Sequence, residues 1–373
     1  MFASLSAGCE EPPPSAAGES RSAARPMAGI DDRARARFQL GSAEFSEVES
    51  AAEGLGPLFN GNSCAQCHNT PSPGGAGLMR VMRAACRTDT SLSASGDGDS
   101  LIQLFSTRPD LGAAGVVSSC DATIAQRRTT SLFGIGLIEA IPDAELEAEA
   151  DSQPQALRGR VAHITDIASG DERAGKLGWK AQHATLESFA GDAYRNEMGI
   201  TNALFPDEVA PHGDHKVLAL MDAVPDPEAE NGAIGKLSDF MRLLAPPEPV
   251  AEEEQGRELF EQLGCDTCHR QSYVSESSVH ALEGKTVALY SDLLLHDIGT
   301  GDGIAQADAS ADEFRTAPLW GTRHAQLWLH DGRAPSMDAA IRAHAGQASE
   351  VSRAYAELED EDREAVLAFL RSL

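Results

Sequence analysis

The sequence predicts a mostly α-helical fold, internally duplicated into two domains with long loops, and three observations carry that expectation. Strand-like alternation of apolar and polar residues is scarce, whereas several stretches carry helix start and stop signals. The stretch "GLGPLFNGNSCAQCH" is echoed in the second half by "GRELFEQLGCDTCH", and "RTTSLFG" (128–134) is echoed by "RTAPLWG" (315–321). Between the halves, "LSDFMRLLAPPEPVAEEE" (237–254) is a helix stopped by a proline cluster, the best boundary in the chain.

Taken in order, residues 1–37 read as a processing signal and linker, ending in the Arg/Ala-rich "DDRARARF". Small residues before Cys9 and a Pro/Ser/Ala-rich tract after it resemble a bacterial lipobox and its tether, so Cys9 is the expected lipidation site. An N-terminal domain is expected over 38–248. Within it "SEVESAAEGLGPLF" is a candidate helix, and the Gly-, Ser-, Pro- and Asp-rich stretch 70–121 reads as loops. A C-terminal domain is expected over 249–373. It opens with the helix "EEEQGRELFEQLG" and closes with "EDEDREAVLAFLRSL", whose acidic start suits a helix N-terminus.

Composition narrows the partners. At 373 residues with 42% hydrophobic and 24% charged positions, the chain has the make-up of an ordinary globular protein. It contains no apolar run of about 18 residues that could span a bilayer. A formal net charge of −28 argues against nucleic acid and against an anionic membrane surface, and would suit a basic partner protein.

The cysteines say more. Cys64, Cys67 and His68 form one Cys-x-x-Cys-His motif, and Cys265, Cys268 and His269 form a second. This spacing is that of a c-type haem attachment site: two thiols form thioethers to the porphyrin, and the adjacent histidine becomes the proximal iron ligand. Two covalently bound haems are therefore expected. Zinc held by four thiolates competes, but structural zinc sites seldom draw their halves from such distant segments, and zinc leaves both histidines unexplained. A thioredoxin-like redox pair needs a βαβ context that is missing. Of the remaining cysteines, Cys86 and Cys120 would pair as a disulfide in an oxidising compartment; buried free thiols are the alternative. No histidine falls between residues 69 and 162, so an open or weakly filled far face is expected at the first haem. His163, His183, Met79, Met82 and Met198 could reach it only through folding. In the second half His280, His296, His324, His330 and His344 all follow His269, and spacing does not choose among them.

Longer stretches carry a resemblance. "SLFGIGLIEAIPDAEL", "GWKAQHATLESFAGDAYRNEMGITNALFP", "YSDLLLHDIG" and "FRTAPLWGTRHAQLWLHDGRAPSMDAAIRAHAG" together resemble the bacterial dihaem oxidoreductases, distant relatives of dihaem cytochrome c peroxidases. The resemblance implies two cytochrome-c-like haem domains from about residue 41 to the C-terminus. It implies peroxide reduction at the N-terminal haem, with electrons entering through the C-terminal haem from a small redox protein such as a cytochrome c or cupredoxin. In those peroxidases the distal ligand of the C-terminal haem lies 14 residues beyond the histidine of a stretch like "HDG"; here that count runs from His330 to His344. His344 is thus the expected partner of His269 on that iron, with His296 and His330 shaping the pocket. Glu139 falls where peroxidases keep distal polar residues and is the candidate acid/base. Arg128 would contact a haem propionate or steer peroxide, and Trp179 would lie between the haems. The peroxidases also bind an interhaem calcium ion with a Thr-x-Pro that "AQLWLHDG" lacks, which counts against calcium there. The expected location is the periplasm or cell envelope. Electron relay without catalysis, and oxidation of an organic or protein substrate, are the alternatives.

Overall fold

The N-terminal helix α1 (Asp32–Ser46) starts where Asp31 caps it, its side chain accepting the Ala34 N–H at 2.7 Å. Strand β1 (Leu58–Phe59) leads to the one-turn helix α2 (Cys64–Cys67), followed by strands β2 (Arg80–Cys86), β3 (Leu101–Ile102), β4 (Phe105–Ser106) and β5 (Ala122–Arg128). Helices α3 (Ile135–Glu139) and α4 (Asp143–Ser152), strands β6 (Ala162–Thr165) and β7 (Glu172–Gly175), and helices α5 (Leu186–Met198), α6 (His215–Met221) and α7 (Ala233–Leu243) complete the first half. The second half holds α8 (Glu254–Gln262) and the two-residue strands β8 (Tyr273–Val274), β9 (Thr286–Val287), β10 (Leu295–His296) and β11 (Phe314–Arg315). It ends in α9 (Met337–Arg342), α10 (Ser349–Glu357) and α11 (Asp360–Ser372). The structure, a computed structural model, describes residues 24–86, 100–111, 122–210, 214–222, 224–229 and 232–373. Cys9, Cys120 and the Cys86 side chain lie outside the described residues, and with them the expected lipidation site and disulfide. Among the described residues no helix is long and apolar enough to cross a membrane.

Helix pairs build the scaffold. Ala34, Phe38, Gly41 and Phe45 form one buried stripe of α1, facing α7. Phe45 and Phe38 stack on Phe240 with ring centroids 4.8 and 5.2 Å apart. The backbones approach so closely that a Cβ on Gly41 would stand 2.2 Å from the Lys236 carbonyl oxygen. In the second half α8 crosses α11 in the same way. Phe260, Val366, Phe369 and Leu370 close that core, and a Cβ on Gly256 would stand 2.1 Å from the Ala365 carbonyl oxygen.

Several sequence expectations change. The helix expected over "SEVESAAEGLGPLF" is not formed; the helix lies earlier, over Asp32–Ser46, and residues 47–57 are turns and coil. The reason is burial: Phe38 and Phe45 have α7 to pack on, whereas "SEVESAAEG" has no apolar stripe. The segment from Met27, taken for linker, therefore belongs to the core. The stretch expected to be loops contains β2, the central strand of the antiparallel sheet β3-β2-β5. Its register runs from Arg80 opposite Arg128 to Cys86 opposite Ala122. Arg83, Ala84 and Ala85 are buried there, so small and charged residues fill the strand without the usual apolar alternation.

The boundary near 248 is real as a helix stop, since the chain runs without helix from Leu244 to Glu253. The two halves nevertheless share a core. Tyr273, Leu282, Val287, Leu289, Leu293 and Leu294 pack into the N-terminal cluster, and the Glu276 N–H donates to the Ala140 carbonyl at 2.8 Å.

Candidate functional site

The first motif sits on the single turn of α2. His68 Nδ1 lies 2.9 Å from the Thr130 carbonyl oxygen and 3.3 Å from that of Gly75. Carbonyls only accept, so Nδ1 carries the proton and Nε2 keeps its lone pair. Burial holds the ring neutral, pulling it down to about 4. The glycine-rich loop after the motif folds back on it: a Cβ on Gly77 would stand 2.0 Å from the Cys67 carbonyl oxygen. Burial pushes the Cys64 thiol up to about 12 and Cys67 to about 11. Neither is the activated thiolate that thioredoxin-like chemistry needs.

Cys64, Cys67 and His68 line a cleft of about 1230 Å³, counted out to the solvent at its mouth. Facing into it are Arg127, Trp179, Gln182, Asp192, Glu197 and Met198, among others. His68 is the one histidine among the lining residues. His163 is exposed and near Glu147 (3.6 Å), while His183 stands behind Asp192, its Nε2 3.3 Å from Oδ2. Of the candidate methionines Met198 lines the cleft; Met79 and Met82 do not, although Met79 Sδ approaches Cys67 Sγ to 3.4 Å.

The second motif follows α8 directly. Gly264 adopts φ +82°, which turns the chain out of the helix and into the short 3-10 turn Cys265–Thr267. The first motif is instead reached from α1 through the turns and coil of 47–57 and strand β1, with no helix running directly into it. His269 Nδ1 lies 3.0 Å from the Tyr290 carbonyl oxygen, and burial pulls the ring down to about 4. His344, just past α9, repeats the arrangement with Nδ1 2.8 Å from the Ala340 carbonyl oxygen. Burial lowers its pKa as well. Both rings line one cavity of about 1500 Å³, together with Cys265, Cys268, His296 and His330.

Two buried ring nitrogens there, His330 Nε2 and Trp328 Nε1, lack hydrogen-bond partners among the described residues. His330 stacks on Phe314 with centroids 4.0 Å apart. His296 Nε2 meets Asp292 Oδ2 at 2.8 Å; burial opposes its charge, but Asp292 and Cys268 raise it to about 10. Cys268, Asp292 and His296 bring donor atoms within 4.8 Å of one another. A four-thiolate zinc site, by contrast, is not assembled: the two cysteine pairs line different cavities.

Trp179 and Arg128 line both cavities. Trp179 Nε1 donates to the Arg128 carbonyl at 2.9 Å, and the Arg128 guanidinium lies 5.2 Å from the centre of the indole. Arg128 Nε donates to the Leu329 carbonyl (2.8 Å), and Arg315 Nε to that of Gly178 (2.9 Å). Burial pulls both arginines down to about 10. Glu139 is placed elsewhere: its carboxylate takes Arg242 Nε at 2.7 Å and the Leu186 N–H at 2.8 Å, and it lines neither cavity. As the C-terminal residue of the short helix α3 it braces α5 and α7. Asp192, which the sequence analysis passed over, does face the first cleft. Its signal was a polar stripe at i, i+4 and i+8 on α5: Ser188, Asp192 and Asn196.

Residues 113–373 match the family described as "Di-haem oxidoreductase, putative peroxidase", and the chain belongs to it. The matched region begins after the first motif. No functionally curated protein matches the chain. Among solved structures, the chain is similar to a hydrazine synthase of Kuenenia stuttgartiensis at 14% identity, covering 100% of this chain and 99% of that one with a TM-score of 0.45. A MauG-like protein associated with microbial copper homeostasis gives 16%, 94%, 92% and 0.42. The diheme peroxidase BthA from Burkholderia thailandensis gives 16%, 91%, 86% and 0.42.

Family membership implies haem, and the residues fit it. Each cavity offers a half-buried neutral histidine whose Nδ1–H is anchored on a backbone carbonyl, which orients Nε2 as a ligand. Each has two cysteines beside that histidine. The second cavity also holds ring nitrogens without partners among the described residues.

Proposed function

We propose that the chain is a peroxidase-like dihaem enzyme that reduces hydrogen peroxide in the first cavity and takes up electrons through the second. The observation that carries this is the asymmetry in histidines. One histidine lines the first cavity, whereas His344 accompanies His269 in the second. Cys64 and Cys67 would tether one haem and Cys265 and Cys268 the other, with His68 and His269 as proximal ligands and His344 as the second axial ligand. When bound, haem supplies the iron that polarises the peroxide bond and stores the electrons.

The chain's own residues handle protons and position. Asp192 replaces Glu139 as the acid/base. Burial opposes its charge, but His183, with Arg83 and Arg195, holds its pKa below the usual carboxylate range. A carboxylate kept ionised can take a proton from incoming peroxide and return it to the departing oxygen. His183 behind it, bonded in turn to Ser188 Oγ at 3.0 Å, sets its orientation. Arg128 and Arg315 offer permanent positive charge in a dry setting, suited to propionate carboxylates. Trp179 would bridge the two cavities for electrons. The balance is H2O2 + 2 H+ + 2 e− → 2 H2O, with electrons from a small redox protein in the periplasm. Lipid anchoring through Cys9 belongs to the same proposal.

Low-temperature EPR of the oxidised, haem-loaded protein tests it. One high-spin ferric signal beside one low-spin bis-histidine signal is expected. Two low-spin signals that persist after half-reduction would replace the peroxidase reading by electron relay, with Met198 the residue placed to cap the first iron.

A further inference from the structure

Away from both cavities, three carboxylates converge in the segment between α5 and α7. Glu208, Asp226 and Glu228 bring oxygens within 4.8 Å of one another, and none of the three lines a cavity described above. Part of their bonding is accounted for. Glu228 Oε2 accepts the Thr201 N–H at 2.9 Å and the Thr201 hydroxyl lies 3.1 Å from it, while Asp226 Oδ1 lies 2.5 Å from the same hydroxyl.

Glu208 is different. Its side chain is buried, with the residue 5% exposed, and neither carboxylate oxygen has a hydrogen-bond partner. The adjacent Val209 N–H exerts an electrostatic pull on it but does not meet hydrogen-bond geometry. No ion pair among the described residues involves any of the three acids. A buried carboxylate with no donor and two carboxylates beside it is unfavourable while all three are ionised, and either protonation or a bound cation relieves it. A cation does so while using all three as ligands.

We propose that Glu208, Asp226 and Glu228 hold a calcium ion. The donors are all oxygen, which selects a hard cation over zinc or copper. Three carboxylates leave coordination positions for water and backbone carbonyls, as calcium's six to eight ligands require, whereas magnesium usually takes only one or two carboxylates. This place differs from the interhaem position that the Thr-x-Pro of dihaem peroxidases marks, which corresponds here to residues just before His330.

The ion would be structural. Thr201 follows three residues after Met198 on the wall of the first cleft. Gly199 packs on the strand leading to the first motif, where a Cβ would stand 2.5 Å from the Leu58 carbonyl oxygen. Glu228 itself packs on Gly54. One ion would thus clamp 201–228 onto the approach to Cys64. This inference stands independently of the peroxidase reading.

The test is calorimetric titration of chelator-stripped, haem-loaded protein with calcium chloride, alongside thermal unfolding. We expect one calcium per chain with a Kd on the order of 1–100 μM, and a melting temperature about 3–8 °C higher in millimolar calcium. Glu208→Gln and Asp226→Asn should each weaken binding at least about tenfold and remove the thermal shift. If Glu208→Gln does not fold, Glu208→Asp, which keeps the charge and shortens the reach, carries the same comparison. The proposal is overturned if 5 mM calcium neither binds nor stabilises, with about 5 mM chosen to exceed even weak extracellular sites. It is equally overturned if both variants bind as wild type does, or if magnesium binds as tightly as calcium.

Discussion

Asp143 holds two cations in place at the start of α4. Burial by itself would raise its pKa, but the hydrogen bond from Arg173 Nε (2.7 Å) and the charge of the fully buried Lys176 (2.6 Å) bring it down to about 2. A depressed carboxyl adds stability above its unfolded pKa of about 3.9 and loses it as pH falls through the folded value. Asp143→Asn should therefore cost about 1–2 kcal/mol at pH 7, allowing for solvent screening, read by urea unfolding, and well under about 1 kcal/mol at pH 2, where Asp143 is half protonated. An undiminished difference at pH 2 would assign the effect to packing. For chemistry the informative residue is Asp192. Asp192→Asn should lower peroxide turnover by about 10²–10⁴-fold with the haem spectra unchanged; turnover within about threefold of wild type would remove Asp192 as the acid/base. The sequence singled out the Cys-x-x-Cys-His positions and His344 by spacing that is local or counted from a nearby motif, and the fold brings each set to a cavity wall. It singled out Glu139 as well, which the fold places outside both cavities. Which carboxylate enters a cavity depends on how α3, α5 and α7 cross, and Arg242, which captures Glu139, lies 103 residues away.

Those crossings are set by glycines. Gly256 lies where α8 meets α11, and Gly256→Ala must push α8 away from Ala365 and Phe369 of α11. It should destabilise the protein by about 1–3 kcal/mol and loosen the second cavity, because Phe260 and Val366 line that cavity. Gly235 in α7 is the control: a Cβ there meets nothing within 4 Å, so Gly235→Ala should stabilise by about 0.4–1 kcal/mol through lower chain entropy. Thermal melts of the two variants in opposite directions would establish close helix approach as the cause; equal gains would point to helix propensity alone. The same physics decides what was legible at this scale. Helices α7, α8 and α11 announced themselves by caps, proline stops and apolar stripes. Helix α1 was misplaced by a few turns because its stripe, Ala34-Phe38-Gly41-Phe45, is sparse and gains meaning only from α7. Strands β2 and β5 went unseen because "RVMRAAC" and "ATIAQRR" carry arginines and lack a regular apolar alternation.

Over the whole molecule two features act together, the shared wall between the cavities and the net charge of −28. Trp179 and Arg128 belong to both cavities, so on the proposed reading an electron delivered to the second would cross to the first through these residues. The donor need dock only near the second cavity, and the field of the molecule decides how fast it arrives. A basic donor is attracted over a distance set by the Debye length, about 30 Å at 10 mM salt and about 8 Å at 150 mM. The second-order rate constant for reduction by a basic small cytochrome should thus fall by roughly tenfold or more over that range. An acidic cupredoxin should show the opposite slope, since salt relieves repulsion. Stopped-flow reduction at several ionic strengths reads both slopes directly. A flat profile with the basic donor would mean that the acidic surface does not steer the partner and serves solubility alone, whereas a steep one would identify the donor's charge before its identity is known.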